Sequence, residues 1–249
     1  SISRGRSAFR WTSATGLVGL GDLPGGGISS FANDITADGS KVVGQGSGTS
    51  GTEAFVWTLA GGMVGIGDLP GGNYYSSATA ISDDGSTIVG SSFGADGEQA
   101  FRWTSATGMV SLGQMPDEAF AGANAVSADG SVVVGYSVGP DHARAFRWTS
   151  TDGMVGLGDL AGGLEASNAI AVTADGSIVV GASQTELGPE AMIWSQADGM
   201  RRLLDVLASG GAVGLAGWTL REANAVSADG QWIVGWGDNP LGKEEAFLA

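Results

Sequence analysis

The tetrad Ala-Phe-x-Trp returns along this chain at an almost fixed interval. It reads Ala8-Phe9-Arg10-Trp11, Ala54-Phe55-Val56-Trp57, Ala100-Phe101-Arg102-Trp103, Ala145-Phe146-Arg147-Trp148 and, with one change, Ala191-Met192-Ile193-Trp194. The intervals are 46, 46, 45 and 46 residues, and after 55 more a stub, Ala246-Phe247-Leu248, opens another copy. Two further markers keep the same phase. One is Leu/Ile-Gly-Asp-Leu, at Leu20–Leu23, Ile66–Leu69 and Leu157–Leu160. The other is Asp-Gly, at Asp38, Asp84, Asp129, Asp175 and Asp229, each followed by a β-branched run and then Gly. A period of this size marks a repeat architecture, in which each unit buries its apolar face only against its neighbours.

Each unit reads as four short strands, called a to d. Strand a is a small-residue run such as Ala123-Asn124-Ala125-Val126-Ser127. Asp-Gly, tolerant of positive φ, predicts a two-residue hairpin into strand b, Val132-Val133-Val134-Gly135-Tyr136. Strand c carries the tetrad, with Phe and Trp two apart and therefore on one face. Strand d is Met154-Val155-Gly156-Leu157-Gly158. Four strands in about 46 residues is the length of one propeller blade. Five a–b hairpins and five c–d hairpins predict one all-β domain over 1–249, a five-bladed β-propeller of four-stranded antiparallel blades. Repeats start near 8, 54, 100, 145 and 191. Closure is expected from pairing of the N-terminal c–d hairpin (about 7–22) with the C-terminal a–b hairpin (about 222–237), which leaves the stub from 246 surplus. An open solenoid is the alternative. The long fifth unit contains Leu203, Leu204, Val206 and Leu207 at helical spacing before Gly210. This predicts one short helix over about 201–210, with Trp218 beneath it.

The consensus Ala-Phe-x-Trp, Gly-Met-x-x-Leu-Gly-Asp-Leu-Pro-Gly-Gly, Ser-x-Ala-x-Ala-Ile/Val-Ser-x-Asp-Gly-Ser-x-Val-Val-Gly resembles the bacterial extracellular HAF repeat, over nearly the whole chain. The family's histidine before Ala-Phe is replaced by Ser7, Glu53, Gln99, Arg144, Glu190 and Glu245. The last unit, with Gly217-Trp218-Thr219-Leu220 and Asp238-Asn239-Pro240, is similar to the terminal repeat often seen in such proteins. The resemblance implies a secreted or cell-surface bacterial protein, sometimes joined to a sorting segment or an autotransporter barrel. It implies no catalytic residues.

Composition narrows the chemistry. There are 26 acidic and 11 basic residues, a net charge of −15, which argues against nucleic acid and anionic membranes as partners. Glycine is abundant, 45 of 249 residues, but without the every-third-residue period of collagen. No cysteine is present, so disulfides and thiolate chemistry are out. No apolar run approaches 18 residues, so no membrane insertion is expected of this segment. The sole histidine, His142, lies in the loop Gly139-Pro140-Asp141-His142 with no nucleophile elbow nearby, and reads as an exposed loop residue.

A glycosidase needs two converging carboxylates, yet the strand-a position of Asp34 is Ala80, Ala125, Ala171 and Ala225 elsewhere. Asn33, Thr79, Asn124, Ile170 and Asn224, one residue earlier, are expected to bond inner strands to one another. The Asp-Gly turns supply too few oxygens for calcium. Asp22, Asp68 and Asp159 are expected to accept loop N–H bonds. The tryptophan series is expected as inter-blade core rather than a lectin site. No enzyme activity, metal or cofactor is therefore expected.

Loops d–a and b–c share one end of each blade and vary between repeats, whereas the a–b and c–d turns are short and uniform. Binding residues are expected on the variable end. Tyr74, Tyr75, Asp117, Glu118 and His142 are the candidate ligand contacts. The expected function is a surface-displayed, adhesin-like module binding a cell-surface glycan or protein, monomeric as a domain. The alternative is a structural passenger or spacer, and a glycoside hydrolase comes last.

Overall fold

The computed structural model describes residues 5–249. Its described residues form 21 strands and one helix. They group into two compact units, Ser1–Gly113 and Gln114–Ala249.

The first unit opens with a hairpin of β1 (Phe9–Thr12) and β2 (Gly16–Gly19). A four-stranded antiparallel sheet follows: β3 (Ser30–Ile35), β4 (Lys41–Ser47), β5 (Thr52–Thr58) and β6 (Gly62–Gly65). The next is β7 (Gly71–Ile81), β8 (Ile88–Gly94), β9 (Gly97–Thr104) and β10 (Gly108–Ser111). One parallel bridge, Thr52 to Tyr75, links the edges of these sheets, and Arg6 to Ser29 repeats that bridge one period earlier.

The second unit holds β11 (Phe120–Val126), β12 (Val132–Val138), β13 (Ala143–Thr149) and β14 (Gly153–Gly156), then β15 (Ser167–Val172), β16 (Ile178–Thr185), β17 (Gly188–Ser195) and β18 (Gly199–Arg202). After the helix α1 (Leu203–Ser209) come β19 (Thr219–Val226), β20 (Ile233–Asp238) and β21 (Glu244–Leu248). The a–b–c–d order predicted from the repeat is thus observed. So is the helix, where Leu203 is fully buried and Leu204, Leu207 and Trp218 pack on one cluster.

Three local features explain why the repeat folds this way. Every strand a carries a bulge at one register, at Asn33, Thr79, Asn124, Ile170 and Asn224. The bulge pushes a carbonyl toward the facing strand b, and only glycine leaves room. A Cβ at Gly44, Gly90, Gly135, Gly181 or Gly235 would run into the carbonyl oxygen of Phe31, Ser77, Gly122, Asn168 or Glu222. This is the physical reason for the Gly that ends each β-branched run.

A buried serine hydroxyl then ties strand a to its surroundings. Ser76 accepts the Ala54 N–H (2.9 Å) and donates to the Gly67 carbonyl (2.6 Å). Ser30 and Ser167 do the same for Ala8 with Gly21 and for Ala145 with Gly158. Buried backbone groups at these loop ends are thereby paired.

The Asp-Gly turn differs from the two-residue hairpin expected from sequence. Thr36 N–H bonds the Lys41 carbonyl, so four residues, 37–40, form the loop. Only the glycine takes positive φ (+69° at Gly39); the aspartate keeps an ordinary conformation. Asp38 Oδ1 instead accepts the Thr36 hydroxyl (2.7 Å) and the Ser40 N–H (2.9 Å). Asp84, Asp129, Asp175 and Asp229 repeat the arrangement with Ser82, Ser127, Thr173 and Ser227.

The tetrads build the core. Phe55, Phe101, Phe146 and Met192 are fully buried. Trp57 is buried, while Trp103, Trp148 and Trp194 are half-buried. Trp11 departs from the expected core role and is 65% exposed. No closed sheet is found among the described residues, and the strand-b edge of β20 on which the expected closure relies carries β21, with Gly235 facing Phe247. The stub fits because its Ala-Phe matches the register by which β5, β9, β13 and β17 meet their strand b.

Candidate functional site

In the second unit, the variable loops bring together residues far apart in sequence. The d–a loop before β11 contains Asp117, the one non-glycine residue with positive φ (67°) among those described. Beside it, the Glu118 side chain is fully buried. Its Oε1 lies 3.0 Å from His142 Nε2, on the b–c loop, and 3.5 Å from Arg144 Nη1, at the start of β13. Arg144 also grips Glu165 on the following d–a loop at 2.9 Å. His142 is therefore not the exposed loop residue expected from sequence: its side chain is 17% exposed and engages a buried carboxylate. Glu118 Oε2 has no hydrogen-bond partner. Burial of a carboxylate is tolerated here because two basic side chains converge on it.

The surrounding charges respond accordingly. Burial pushes the Asp159 carboxyl up, a shift that the Ser167 hydroxyl and, to a lesser extent, Arg144 and His142 offset in part. Glu165 is held below the usual range by its bond to Arg144. Asp159 Oδ1, like Asp22 Oδ1, is buried without a hydrogen-bond partner, so these two oxygens do not accept the loop N–H bonds expected of them.

Tyr74 and Tyr75 belong to the first unit, on β7. Both are half-buried. Tyr75 meets Phe93 edge-on, with ring centroids 5.5 Å apart. Tyr74 donates its hydroxyl to Glu53, and burial, helped by that carboxylate, pushes its pKa up to about 12. Glu53 in turn accepts the Gly67 N–H at 3.0 Å. The sequence candidates thus form two groups: Tyr74 with Tyr75, and Asp117 with Glu118 and His142.

Sequence reasoning missed the register immediately before Ala-Phe. Glu53, Arg144 and Glu190 all stand there, at the loop end of strand c, and each is tied into its site. Glu190 is buried and pairs with Arg202 at 2.9 Å. The signal was available, since this position is polar in every repeat yet not constant: Ser7, Glu53, Gln99, Arg144, Glu190 and Glu245. Near Arg202 a cavity of about 550 Å³ opens between Leu160, Met200, Val206 and Asp205.

The inner strands carry little reactive chemistry. Asp34 is spent on structure: its two oxygens accept the Ile35 and Ile81 N–H groups, both at 2.8 Å, while burial pushes its pKa up. Asn33 donates to the Ala78 carbonyl, and Asn124 to Asn168 and Ala169, so these two bond inner strands as expected. Asn224 turns instead to Glu222 on its own strand. Among the described residues, no three His, Asp or Glu side chains are grouped to hold a metal ion, and no helix is long and apolar enough to cross a membrane.

No family model matches this chain, and no curated protein matches its sequence. Solved structures do match its fold. A TolB candidate from Agrobacterium tumefaciens aligns with TM-score 0.55 and 13% identity, over 97% of this chain and 88% of that one. The fold is propeller-like. TolB from Acinetobacter baumannii aligns with TM-score 0.51 and 15% identity over 74% of this chain. This chain spans 44% of that protein's length. A prolyl endopeptidase structure aligns with TM-score 0.61 and 12% identity, over 97% of this chain and 37% of its own. At these identities the propeller likeness is one of fold.

Proposed function

We propose that this chain is a non-catalytic interaction module that binds through the d–a and b–c loops of a five-bladed propeller. The observation that carries the reading is the contrast between the two ends of the repeat. The Asp-Gly turns satisfy their own polar groups in the same way five times. The loop end instead holds differing polar clusters, one of them built on the fully buried Glu118 side chain with His142 and Arg144. Structure that differs from repeat to repeat is what a specific surface requires, and loops on a rigid sheet scaffold are where such surfaces are built. The net charge of −15 favours a neutral or basic partner, a glycan or protein at a bacterial surface or outside the cell.

Solid-phase binding to glycan and surface-protein panels tests this reading. The unmodified chain is expected to bind a defined subset. Tyr74→Ala and His142→Ala, each checked for folding, are expected to remove binding in separable ways. Absence of any ligand would favour a structural passenger, and retention of full binding by both variants would reject the loop assignment.

A further inference from the structure

Within the second unit, the fourth and fifth repeats meet along a groove of about 220 Å³ at the c–d turn end of their sheets. The fourth repeat contributes Arg147 from β13, Asp152 from the turn after it, Val155 and Leu157. The fifth contributes Trp194 from β17 and Gln196 from the turn beyond. Trp194 packs on the core cluster that holds Leu157 and Met192, yet it is only half-buried and borders the groove.

The same junction between the first and second repeats closes itself. Arg10, the counterpart of Arg147, lies 5.3 Å over the ring of Trp57 and donates Nη1 to the Gly39 carbonyl at 2.8 Å. Trp57 is buried there. Arg147 behaves otherwise: its Nε is buried with no hydrogen-bond partner. Asp198, at the position of Asp152 one repeat on, is gripped by Arg201 at 2.7 Å. Asp152 instead has Oδ2 fixed by the Thr149 hydroxyl at 2.9 Å. Among the described residues, neither Arg147 nor Asp152 belongs to an ion pair. Gln196 stands where the other repeats have Ser13, Leu59, Ser105 and Ser150, so this combination of side chains occurs at one junction.

We propose that this groove binds one neutral pyranose ring, with Trp194 as the stacking surface. An apolar lining with a few polar groups is the usual composition of a small-ligand site. The C–H face of a sugar suits the indole, Val155 and Leu157, and its hydroxyls both donate and accept. They match a guanidinium that only donates, a carboxylate that only accepts and an amide that does both. An acceptor oxygen from the ligand also pairs a donor that the free chain leaves unpaired at a cost. An anion fits worse, because Asp152 lines the same groove and the chain carries a net charge of −15. The volume lies below the range of roughly 300–1,000 Å³ that takes drug-sized ligands, which limits the occupant to a single ring. The site is at the opposite end of the blades from the d–a and b–c loops and does not rest on their assignment.

Isothermal titration tests the proposal with the methyl glycosides of glucose, galactose, mannose and N-acetylglucosamine, and with glucuronate and inorganic phosphate as anionic comparisons. At least one neutral glycoside is expected to bind saturably, at one site per chain, and more tightly than either anion. Asp152→Asn changes an exposed side chain and is expected to melt like the parent. Arg147→Met removes an unpaired buried donor and is expected to melt at or above the parent temperature. Each is expected to weaken sugar binding by about tenfold or more. Saturable binding by none of the four glycosides would overturn the proposal. So would tighter binding of glucuronate or phosphate, or full sugar affinity in either variant.

Discussion

The turn aspartates contribute to the pH dependence of stability. Hydrogen bonds from Ser40 and Thr36 hold the Asp38 carboxyl down to about 2, and those from Thr173 and Ser177 do the same for Asp175. Asp84, Asp129 and Asp229 are lowered in the same direction. A carboxyl whose folded pKa lies below its unfolded value stabilises fully above the unfolded value, near 4, and stops doing so as pH falls through the folded one. The contribution of these turns to the melting temperature is therefore expected to be lost between about pH 4 and pH 2. Asp38→Asn combined with Asp175→Asn should lower the melting temperature at neutral pH and flatten its decline over that range. A second residue-scale expectation concerns Ser76. Replacing it by Ala leaves the buried Ala54 N–H without its partner and should cost roughly 1–3 kcal/mol in urea unfolding. The aspartates were legible in sequence as turn residues. Their conformation was not, because the Ser or Thr two positions earlier supplies the hydroxyl that selects the four-residue loop. The contact between His142 and Glu118 was also hidden. It joins two non-repeating loops 24 residues apart, where no periodicity exists to pair them.

At the level of strands, the same tetrad residue has opposite consequences in different repeats. Phe101 is fully buried, so Phe101→Ala should cost about 3–5 kcal/mol. Phe9→Ala, on the bare hairpin, should cost under about 1 kcal/mol in dilute solution. Equal costs in chemical unfolding would contradict the packing described above. Gly90→Ala should be worse than either its size or its strand position suggests, because the added methyl meets the Ser77 carbonyl across the bulge. Strand identity, order and the buried aromatic face were readable from the tetrad and its period of two. The edge assignment was not. The segments Ala8-Phe9 and Ala246-Phe247 present the same two residues to strand b, and only the folded pairing shows that β21 lies on β20.

For the whole chain, charge and repetition act together. The sequence isoelectric point is near 4.1, which falls at the upper end of the range where the turn aspartates begin to lose their effect. Solubility is therefore expected to be lowest as stability starts to decline, and light scattering on slow acidification should rise near pH 4. Truncation should act through packing. Removal of residues 1–22 uncovers Phe55 and Trp57 by taking away Ala8 and Leu20. The truncated chain should melt earlier and aggregate, and an unchanged melting curve would mean that the hairpin contributes little.

The bulge and its facing glycine recur at one register in all five copies. Unequal recombination between two copies of the coding sequence would therefore restore the same bulge opposite the same glycine. Joining Ile35 directly to Ser82, for instance, reconnects one strand a to the next turn in phase. A lineage carrying this chain can thus gain or lose whole repeats in single genetic events without first acquiring compensating changes. Its variation in length should come in steps of about one repeat rather than in scattered insertions.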